Sequence, residues 1–278
     1  MKLAVLSGKG GTGKTFVSVN LAVTAGHATY IDCDVEEPNG RLFLKPEAVQ
    51  SAEVYTTVPT FDPERCIGCR KCVDFCRFHA LVFLKQKPKL FEEVCHACGG
   101  CALVCPVGAV REVKRPIGVV ETGRRGDLRT VTGILNPGES SGVPVIQQAI
   151  AKSGRDFTVI DCPPGSGCPV LESVTEADAC ILVTEPTAFG FHNLQMVYEL
   201  AALLHKPTGV VLNKAADEPY EPLERFCAEH SVPILARIPY SRRLASLGAD
   251  GQVAVEADPD AARRFRELYD RIGGELLC

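Results

Sequence analysis

The 278-residue sequence contains no apolar run that approaches the roughly 20 residues of a membrane-spanning helix. It also opens without the features of a signal peptide, since Met1 and Lys2 lead directly into a strand-like apolar stretch. Positive charge is not in excess, because 30 Lys and Arg residues face 34 Asp and Glu residues, for a net charge of −4. We therefore expect a cytoplasmic protein with no stable membrane anchor and no nucleic acid as its main partner.

Cysteine, by contrast, is more abundant than a cytoplasmic chain needs for packing. The sequence has 14 cysteines, and in a reducing compartment such a number indicates metal or redox chemistry rather than disulfides. The length is sufficient for a complete α/β core plus a small second module, since single cores commonly reach about 250 residues.

A glycine-rich stretch fits the phosphate-binding pattern G-x-x-x-x-G-K-[ST]: Gly8, Lys9, Gly10, Gly11, Thr12, Gly13, Lys14 and Thr15. An apolar strand precedes it at residues 3–6, and a helix-like run follows at residues 16–23. Glycines allow several backbone N–H groups to point at one phosphate, and the helix adds the positive end of its dipole. A glycine-rich turn without a ligand is the alternative, which the flanking strand and helix disfavour. The stretch predicts binding of ATP and ADP.

Further side chains are expected to complete this nucleotide site. Lys14 is predicted to reach the β- and γ-phosphates, and the hydroxyl of Thr15 is predicted to bind Mg²⁺. Asp161 follows the apolar run at residues 157–160, which places its carboxylate at the carboxyl end of a strand, beside the phosphates. We expect Asp161 to hold Mg²⁺ through a water molecule, as a Walker-B carboxylate does.

Apolar runs that alternate with helix-like segments predict an α/β P-loop NTPase fold, a mostly parallel sheet with helices on both faces. Strands are expected at residues 3–6, 28–32, 118–122, 128–135, 157–161, 179–184, 208–212 and 234–238, and helices at residues 14–25, 193–204, 222–229 and 259–272. Residues 56–63 lose periodicity and contain two prolines, which predicts a boundary. We divide the chain into a first part of the ATPase domain (residues 1–60), an inserted module (61–117) and a second part (118–278).

The inserted module contains an internal repeat that carries eight of the cysteines. Residues 61–80 and 90–109 superimpose at an offset of 29 residues, with every cysteine on a cysteine. Each copy reads C-x2-C-x2-C-x3-C: Cys66, Cys69, Cys72 and Cys76 in the first, and Cys95, Cys98, Cys101 and Cys105 in the second. Such a run wraps three thiolates around one cluster and leaves the fourth for a neighbouring cluster. Zinc bound by C-x2-C pairs is the alternative, which a doubled run of three cysteines plus a fourth fits poorly.

This module resembles bacterial two-cluster ferredoxins, a small α+β fold. The resemblance implies two [4Fe–4S] clusters whose ligand sets interleave. The first would take Cys66, Cys69, Cys72 and Cys105, and the second would take Cys95, Cys98, Cys101 and Cys76. Arg77 replaces the proline that usually follows the first run, whereas Pro106 follows the second.

Lys9, directly after the first glycine, makes the glycine-rich stretch similar to that of the deviant P-loop ATPases, which include MinD, the nitrogenase iron protein and ParA-type ATPases. With the cysteine module, the whole chain resembles the branch of this superfamily that carries an inserted two-cluster ferredoxin domain. The resemblance implies an ATP-bound dimer, of identical chains or with a paralogue, in which Lys9 reaches the partner's nucleotide. A solvated loop lysine is the alternative.

The same resemblance assigns roles to residues that no pattern alone would single out. Asp34 would orient or activate the attacking water with Asp32 in support, although two aspartates at a strand end are more often a turn or a helix cap. Asn213 would read adenine, and the loop that contains Pro239 would cover the base. The expected catalytic residues are Lys9, Lys14, Asp34 and Asp161.

Cys168 leaves two alternatives open. It lies seven residues after Asp161, the offset at which the nitrogenase iron protein places an interface cluster ligand. That protein has a second ligand cysteine upstream, and the corresponding residues 136–143 contain none. Cys168 is therefore a ligand of a bridging cluster, or it is a packed or a redox-responsive thiol.

The final predicted helix also has two interpretations. One side of it carries Ala261, Phe265, Leu268 and Ile272, which is the periodicity of ordinary packing. MinD ends in a basic amphipathic membrane helix, but the arginines here are balanced by acidic residues. We expect docking against the core, with membrane binding as the alternative.

Together these features predict a slow, Mg²⁺-dependent ATPase that couples nucleotide-driven switching of a dimer to electron transfer through two clusters. Its partner would be an unidentified redox or cluster-acceptor protein. One alternative is a scaffold that loads clusters into other proteins, although the C-x-x-C expected near the carboxyl end of such P-loop ATPases is absent. The other is a non-enzymatic nucleotide switch whose clusters sense redox state.

Overall fold

The apolar runs of the sequence form the strands of one large sheet in the computed structural model, which describes residues 1–216 and 218–276. Cys278, which belongs to neither cysteine run, lies outside the described residues. The strands are, in chain order, β1 (Lys2–Leu6), β2 (Ala28–Asp32), β3 (Glu47–Phe61), β4 (Leu81–Leu84), β5 (Lys87–Leu90), β6 (Val110–Arg125), β7 (Leu128–Leu135), β8 (Phe157–Asp161), β9 (Ala179–Thr184), β10 (Thr208–Ala215) and β11 (Ile234–Pro239).

Helices connect most of these strands, and their starts follow local sequence signals. Proline lies in the first turn of α5, α6, α8 and α11, where its missing N–H leaves no hydrogen bond unmade. The helices are α1 (Lys14–Ala25), α2 (Gly40–Leu44), α3 (Lys71–Phe75), α4 (Gly100–Leu103), α5 (Val143–Ile150), α6 (Cys168–Thr175), α7 (Ala188–Leu203), α8 (Glu221–Glu229), α9 (Arg242–Ala249), α10 (Ala254–Ala257) and α11 (Pro259–Glu275).

Within the described residues, nine strands form the large sheet in the order β11-β10-β9-β1-β8-β2-β7-β6-β3. The strands from β11 to β7 pair in parallel, whereas β6 and β3 add an antiparallel edge. The predicted mostly parallel sheet is therefore confirmed. In the register of β2 against β8, Asp32 lies opposite Asp161, so two predicted site residues meet at the carboxyl ends of neighbouring strands.

Two apolar clusters cover the two faces of this sheet. One contains Leu6, Ile31 and Ile160 with residues of α5, α6, α7 and α8. The other contains Leu3, Val5 and residues of α1 and α11. Successive strand residues alternate between the faces, so runs that are apolar at every position are buried on both sides. Helices therefore lie on both faces, as predicted.

The antiparallel edge differs from the prediction. Residues 56–61 continue β3 instead of ending regular structure, because β3 pairs with β6 as far as Phe61 opposite Val110. Pro59 is tolerated because β3 is the edge strand of the sheet. The strand predicted at residues 118–122 is also longer, since β6 spans Val110–Arg125. Both proposed domain borders fall within this two-stranded ribbon, and the division into domains stays a prediction.

The final helix packs against the sheet as expected. Its four apolar positions, Ala261, Phe265, Leu268 and Ile272, are all buried. None of the helices within residues 1–216 and 218–276 combines the length and apolar character needed to cross a bilayer.

Candidate functional site

The glycine-rich stretch forms the turn between β1 and α1. Gly13 has a left-handed backbone conformation (φ 90°) directly before the helix. A Cβ atom there would lie 2.1 Å from Nδ2 of Asn213, so both the conformation and the space require glycine. That amide nitrogen donates a hydrogen bond of 2.7 Å to the carbonyl oxygen of Thr12. Asn213 at the end of β10 thereby holds the turn from the side.

The N-terminal amides of α1 remain available to a ligand. Among the described residues, no side chain caps this helix, whereas Thr187, Ser241 and Asp258 cap α7, α9 and α11. Cβ atoms placed on Gly10 and Gly11 would meet no atom of the described chain within 4 Å. Uncapped amides beside open space are the geometry of an anion site, so this turn fits a phosphate.

A cleft of about 680 Å³ opens in front of the turn. It brings together most of the predicted nucleotide-site residues: Lys9, Gly10, Gly11, Gly13, Lys14, Thr15 and Asp34. Gly8 and Thr12 lie behind the turn. A Cβ atom on Gly8 would lie 2.3 Å from the carbonyl oxygen of Asn193, and the Thr12 side chain is buried. These two residues shape the turn from inside.

Asp161 is fully buried at the end of β8 and is hydrogen-bonded on both carboxylate oxygens. Nζ of Lys14 donates to Oδ1 at 2.6 Å, as the hydroxyl of Ser18 does at 3.1 Å, and the hydroxyl of Tyr30 donates to Oδ2 at 2.9 Å. Burial opposes the charge of Lys14, but Asp161, with Asp34 at 3.9 Å, outweighs it and raises the lysine's pKa. Lys14 is therefore a stable positive charge at the floor of the cleft.

The two aspartates after β2 have different surroundings. Asp32 is buried, and burial together with Asp161 raises its pKa. It accepts hydrogen bonds from the N–H groups of Gly40 at 2.9 Å and Asp34 at 3.2 Å. Burial also raises the pKa of Asp34 to about 6, against the opposing effect of Lys14. Asp34 is thus mainly ionised at neutral pH and lines the cleft, where its carboxylate can accept a hydrogen bond from water.

Lys9 contacts its own chain in this structure. Its Nζ lies 3.2 Å from Oε2 of Glu185 and 5.1 Å from the centre of the Phe189 ring. Nζ of Lys214 donates to the other carboxylate oxygen of Glu185 at 2.7 Å and to the carbonyl oxygen of Gly11 at 2.8 Å. A network of one carboxylate and two lysines therefore borders the turn.

Two members of this network, Glu185 and Lys214, were not predicted from the sequence as site residues. A signal was available for Glu185, since it directly follows β9 at the carboxyl edge of the sheet, where ligand-binding residues collect. Lys214 follows Asn213 at an irregularity of β10 and has an unusual positive φ of 54°. That conformation depends on tertiary contacts, so the sequence alone does not predict it. The hydrogen bond from Tyr30 to Asp161 was also not predicted, because Tyr30 lies within an apolar strand and reads as a core residue.

Asn213 and Pro239 lie together at a second cavity, of about 190 Å³, which adjoins the cleft. The cleft and this cavity share Gly13, Phe16 and Gly248 among their lining residues. A largely apolar cavity that continues a phosphate site suits the base of a nucleotide. The base-binding roles of Asn213 and Pro239 stay predictions.

The eight repeat cysteines line two separate cavities. One is lined by Cys66, Cys69, Cys72 and Cys105, together with Phe61 and Phe83. The other is lined by Cys76, Cys95, Cys98 and Cys101, together with Leu81 and Leu90. The fourth cysteine of each run thus faces the three leading cysteines of the other run, in the interleaved sets that the ferredoxin resemblance implies.

The two cavities are related by the 29-residue repeat. Each of the thirteen residues that line the first cavity has its counterpart, 29 positions away, in the lining of the second. Left-handed backbone conformations repeat in the same way, at residues 68 and 97, 70 and 99, and 79 and 108. Three of these six positions carry a side chain, namely Arg70, His79 and Ala97. Positive φ values at residues other than glycine cost free energy, and such positions cluster at functional sites.

Four cysteines line each cavity, which is the ligand number of one [4Fe–4S] cluster. Within the part of the chain that the structure describes, no group of three or more His, Cys, Asp or Glu side chains forms a site for a single metal ion. At Cys105, backbone N–H groups of residues 107–110 outweigh burial and lower the thiol's pKa, whereas burial raises the pKa of the Cys72 and Cys101 thiols. The donor set suits two clusters, and their presence stays a prediction.

The other described cysteines fall into two groups. Cys33, Cys162 and Cys180 are buried, as expected for thiols at apolar strand ends, and Cys227 is buried as well. Cys168 is exposed at the start of α6. Its exposure disfavours the packed thiol, while the redox-responsive thiol and the bridging-cluster ligand both stay untested.

The fold and the glycine-rich turn define a P-loop nucleotide-binding domain. The chain matches the model of the CobQ/CobB/MinD/ParA nucleotide binding domain over residues 3–255, and it belongs to this family. The resemblance to MinD-type proteins is thus confirmed at the level of family and fold, while the inserted two-cluster domain stays a prediction.

Individual relatives extend this comparison. An uncharacterised protein of Methanocaldococcus jannaschii is 29% identical over 280 residues, which cover 98% of this chain and 96% of the relative. An iron–sulfur cluster carrier protein of Pyrococcus horikoshii is 23% identical over 308 residues, with coverage of 99% and 86%. The cell division ATPase MinD of Pyrococcus furiosus has a TM-score of 0.61 at 19% identity and 98% coverage of both chains. At this identity the structural likeness establishes the α/β fold.

Proposed function

We propose that the protein is a cytoplasmic, Mg²⁺-dependent ATPase that holds two [4Fe–4S] clusters and couples nucleotide-driven switching of a dimer to electron transfer. The observation that carries this proposal is the presence, in one chain, of a phosphate cleft and of two cavities that are each lined by four cysteines. Membership of the MinD/ParA family supports the nucleotide half. The repeat symmetry of the cysteine cavities supports the cluster half.

On the nucleotide side, binding changes the partner of Lys14. In this structure its ammonium group lies 2.6 Å from Oδ1 of Asp161, and a triphosphate would offer it a more highly charged anion. The α1 amides and Lys14 hold the phosphates, while Asp34 orients the attacking water. Thr15, and Asp161 through a water molecule, would hold Mg²⁺, which would supply positive charge beside the phosphates.

Lys9 has a second role in this proposal. In the single chain it is bound by Glu185, whose charge Lys214 also neutralises. Because Lys214 remains, Glu185 keeps a cationic partner when Lys9 leaves. Lys9 is therefore free to reach the nucleotide of a second subunit, either an identical chain or a paralogue. Contacts between Lys9 and the phosphates bound by the partner would allow ATP to stabilise the dimer.

On the cluster side, the two cysteine cavities hold the prosthetic groups. Cys66, Cys69, Cys72 and Cys105 hold one cluster, and Cys76, Cys95, Cys98 and Cys101 hold the other. Each bound cluster supplies one-electron chemistry, which side chains of this protein do not. The hydrogen bond of 3.2 Å from the Ala109 N–H to Sγ of Cys105 favours the thiolate that a cluster requires.

A cluster carrier is the second candidate function. The observation in its favour is the match to an iron–sulfur cluster carrier protein along 99% of this chain. Against it, the sequence lacks a C-x-x-C near its carboxyl end. A non-enzymatic, redox-sensing nucleotide switch is the third candidate.

One anaerobic experiment separates these candidates. The protein is reduced with dithionite, freed of excess reductant and mixed with Mg-ATP and either an oxidised one-electron dye or an apo-ferredoxin. We expect phosphate release together with ATP-stimulated electron transfer to the dye. ATP-stimulated iron transfer to the apo-ferredoxin, without dye reduction, would favour the carrier. Absence of phosphate release would contradict the ATPase and favour the sensor.

A further inference from the structure

The loop between β7 and α5, residues 136–142, lies between the nucleotide cleft and the second cysteine cavity. Gly142 lines the cleft. Residues 139–141 line a cavity of about 300 Å³ that is also lined by residues 95–97. Residues 95–97 in turn line the second cysteine cavity. One short loop therefore borders both candidate sites.

At the cleft, the β7–α5 loop packs against the residue that follows Asp34. A Cβ atom on Gly142 would lie 2.6 Å from Cγ2 of Val35, and one on Gly133 would lie 2.7 Å from Cγ1. The N–H of Leu135 donates a hydrogen bond of 2.9 Å to the carbonyl oxygen of Val35. Because protein interiors are close-packed, a shift of residues 34–35 displaces Gly142 as well.

At its other end, the β7–α5 loop contacts the second cysteine run. The hydroxyl of Ser140 donates a hydrogen bond of 3.3 Å to the carbonyl oxygen of Cys95. The adjacent Glu139 accepts two hydrogen bonds from the guanidinium group of Arg115, at 2.6 and 2.5 Å. Arg115 also lies 3.7 Å from Glu92, which begins the helical turn before Cys95.

The Glu139–Arg115 pair makes this connection stiff. Both carboxylate oxygens of Glu139 are engaged, and its side chain is only 9% exposed. Separating the two partners would leave a largely buried charge unpaired, which is strongly unfavourable. The β7–α5 loop therefore moves together with β6 and the turn at Glu92.

We propose that the β7–α5 loop transmits the nucleotide state from Asp34 and Val35 to the cysteine set that contains Cys95, through the Glu139–Arg115 pair and Ser140. This inference rests on the proposed function, since it requires both a nucleotide and a cluster. It adds the route between them, which the proposed function does not specify. Glu139 and Ser140 are positioning residues and do not touch either ligand.

The test compares the wild-type protein with Glu139→Gln and Ser140→Ala, all prepared anaerobically. Low-temperature EPR of the reduced proteins is recorded with and without Mg-ATP, and amide hydrogen exchange is followed at residues 92–97 and 136–142. In the wild type, we expect ATP to change both the EPR spectrum and the exchange of both segments. In Glu139→Gln, iron content and ATP hydrolysis persist, but the changes in the spectrum and at residues 92–97 are lost. Ser140→Ala, which keeps the ion pair, weakens them.

A control with the same two-bond geometry, but greater exposure, is available at the opposite edge of the sheet, next to β11. Glu224 makes a similar two-bond pair with Arg237, at 2.5 and 2.7 Å, and neither residue lines the cleft or a cysteine cavity. Glu224→Gln should keep every ATP-dependent change. The proposed route is wrong if Glu139→Gln and Ser140→Ala both keep the full ATP-dependent changes in EPR and hydrogen exchange. It is also wrong if the wild type holds clusters and hydrolyses ATP but shows neither change. A wild type without clusters or hydrolysis overturns the proposed function itself.

Discussion

The nucleotide cleft rests on strands that are buried on both faces, whereas the cysteine repeat rests on helices of four and five residues. In the cleft, Lys14 and Asp161 are fixed by hydrogen bonds from α1 and neighbouring strands. In the repeat, α3 has no buried residue and α4 buries only Gly100. The residues of the cleft are therefore held by the buried core of the sheet, whereas the cysteine repeat has little buried structure of its own.

The largest expected effect is the response of the repeat to loss of iron. Helices as short as α3 and α4 are not stable alone, so the proposed clusters would supply much of the local folding energy. Anaerobic chelation of iron should abolish hydrogen-exchange protection at residues 62–109 and leave β1 and β8 protected. Exchange mass spectrometry measures both in one sample. Full protection of residues 62–109 without iron would show that the repeat folds unaided.

Removal of the Lys14 charge should come next in size. Lys14→Ala takes away the cation that stabilises charge on the phosphates, and we expect hydrolysis to fall by about 10²–10³-fold. The iron content should not change, because residues 62–109 do not line the cleft. The exposed Lys152 provides the control, and Lys152→Ala should keep the wild-type rate. Equal rates for Lys14→Ala and the wild type would remove Lys14 from the mechanism.

Alanine substitutions at two glycines with positive φ distinguish the cost of backbone strain from the cost of crowding at the glycine-rich turn. Gly13 and Gly26 both have positive φ, 90° and 76°, but only a Cβ atom on Gly13 would meet other atoms of the described chain. Gly26→Ala should cost about 1–3 kcal/mol through strain alone, since its ψ of −90° lies outside the left-handed helical region. Gly13→Ala should cost about 1–3 kcal/mol more, because Asn213 must move away from Thr12. Denaturant unfolding tests the difference, and equal costs would contradict the rigid turn.

The smallest expected effect is the pH dependence that Asp34 produces. Its pKa is raised to about 6, and the water-orienting role needs the carboxylate form. The kcat/KM for ATP should therefore be at its plateau above the pKa of Asp34 and decline as the pH falls through about 6. Asp34→Asn should lose most activity together with this decline. A wild-type profile that stays flat down to about pH 5 would assign the role to another group.

The two regions also differ in how far the sequence alone predicts them. The strands at residues 157–161 and 179–184 were predicted with the observed bounds, because runs made up mostly of apolar residues indicate strands buried on both faces. Gly13 and Lys14 likewise marked the start of α1. The long β3–β6 ribbon was missed, since β3 is largely exposed and has no apolar alternation to detect. Its pairing joins distant segments, which local patterns do not encode.

Prolines and long-range contacts explain the remaining omissions. Helices α5 and α6 were not predicted, although Pro144 and Pro169 each lie in the first turn of one of them. The pairing of Lys9 with Glu185 and that of Glu139 with Arg115 depend on how distant segments pack. The interleaved cysteine sets were predicted, by contrast, because the spacing of each run and the ferredoxin resemblance imply that its fourth cysteine joins the other set.

Quantifying iron, sulfide and zinc in the anaerobically purified protein tests the central claim most directly. The account predicts brown protein with about eight iron and eight sulfide per chain, since the two cysteine cavities each hold one cubane. Colourless protein that contains zinc in place of iron would contradict the claim and the electron-transfer function with it.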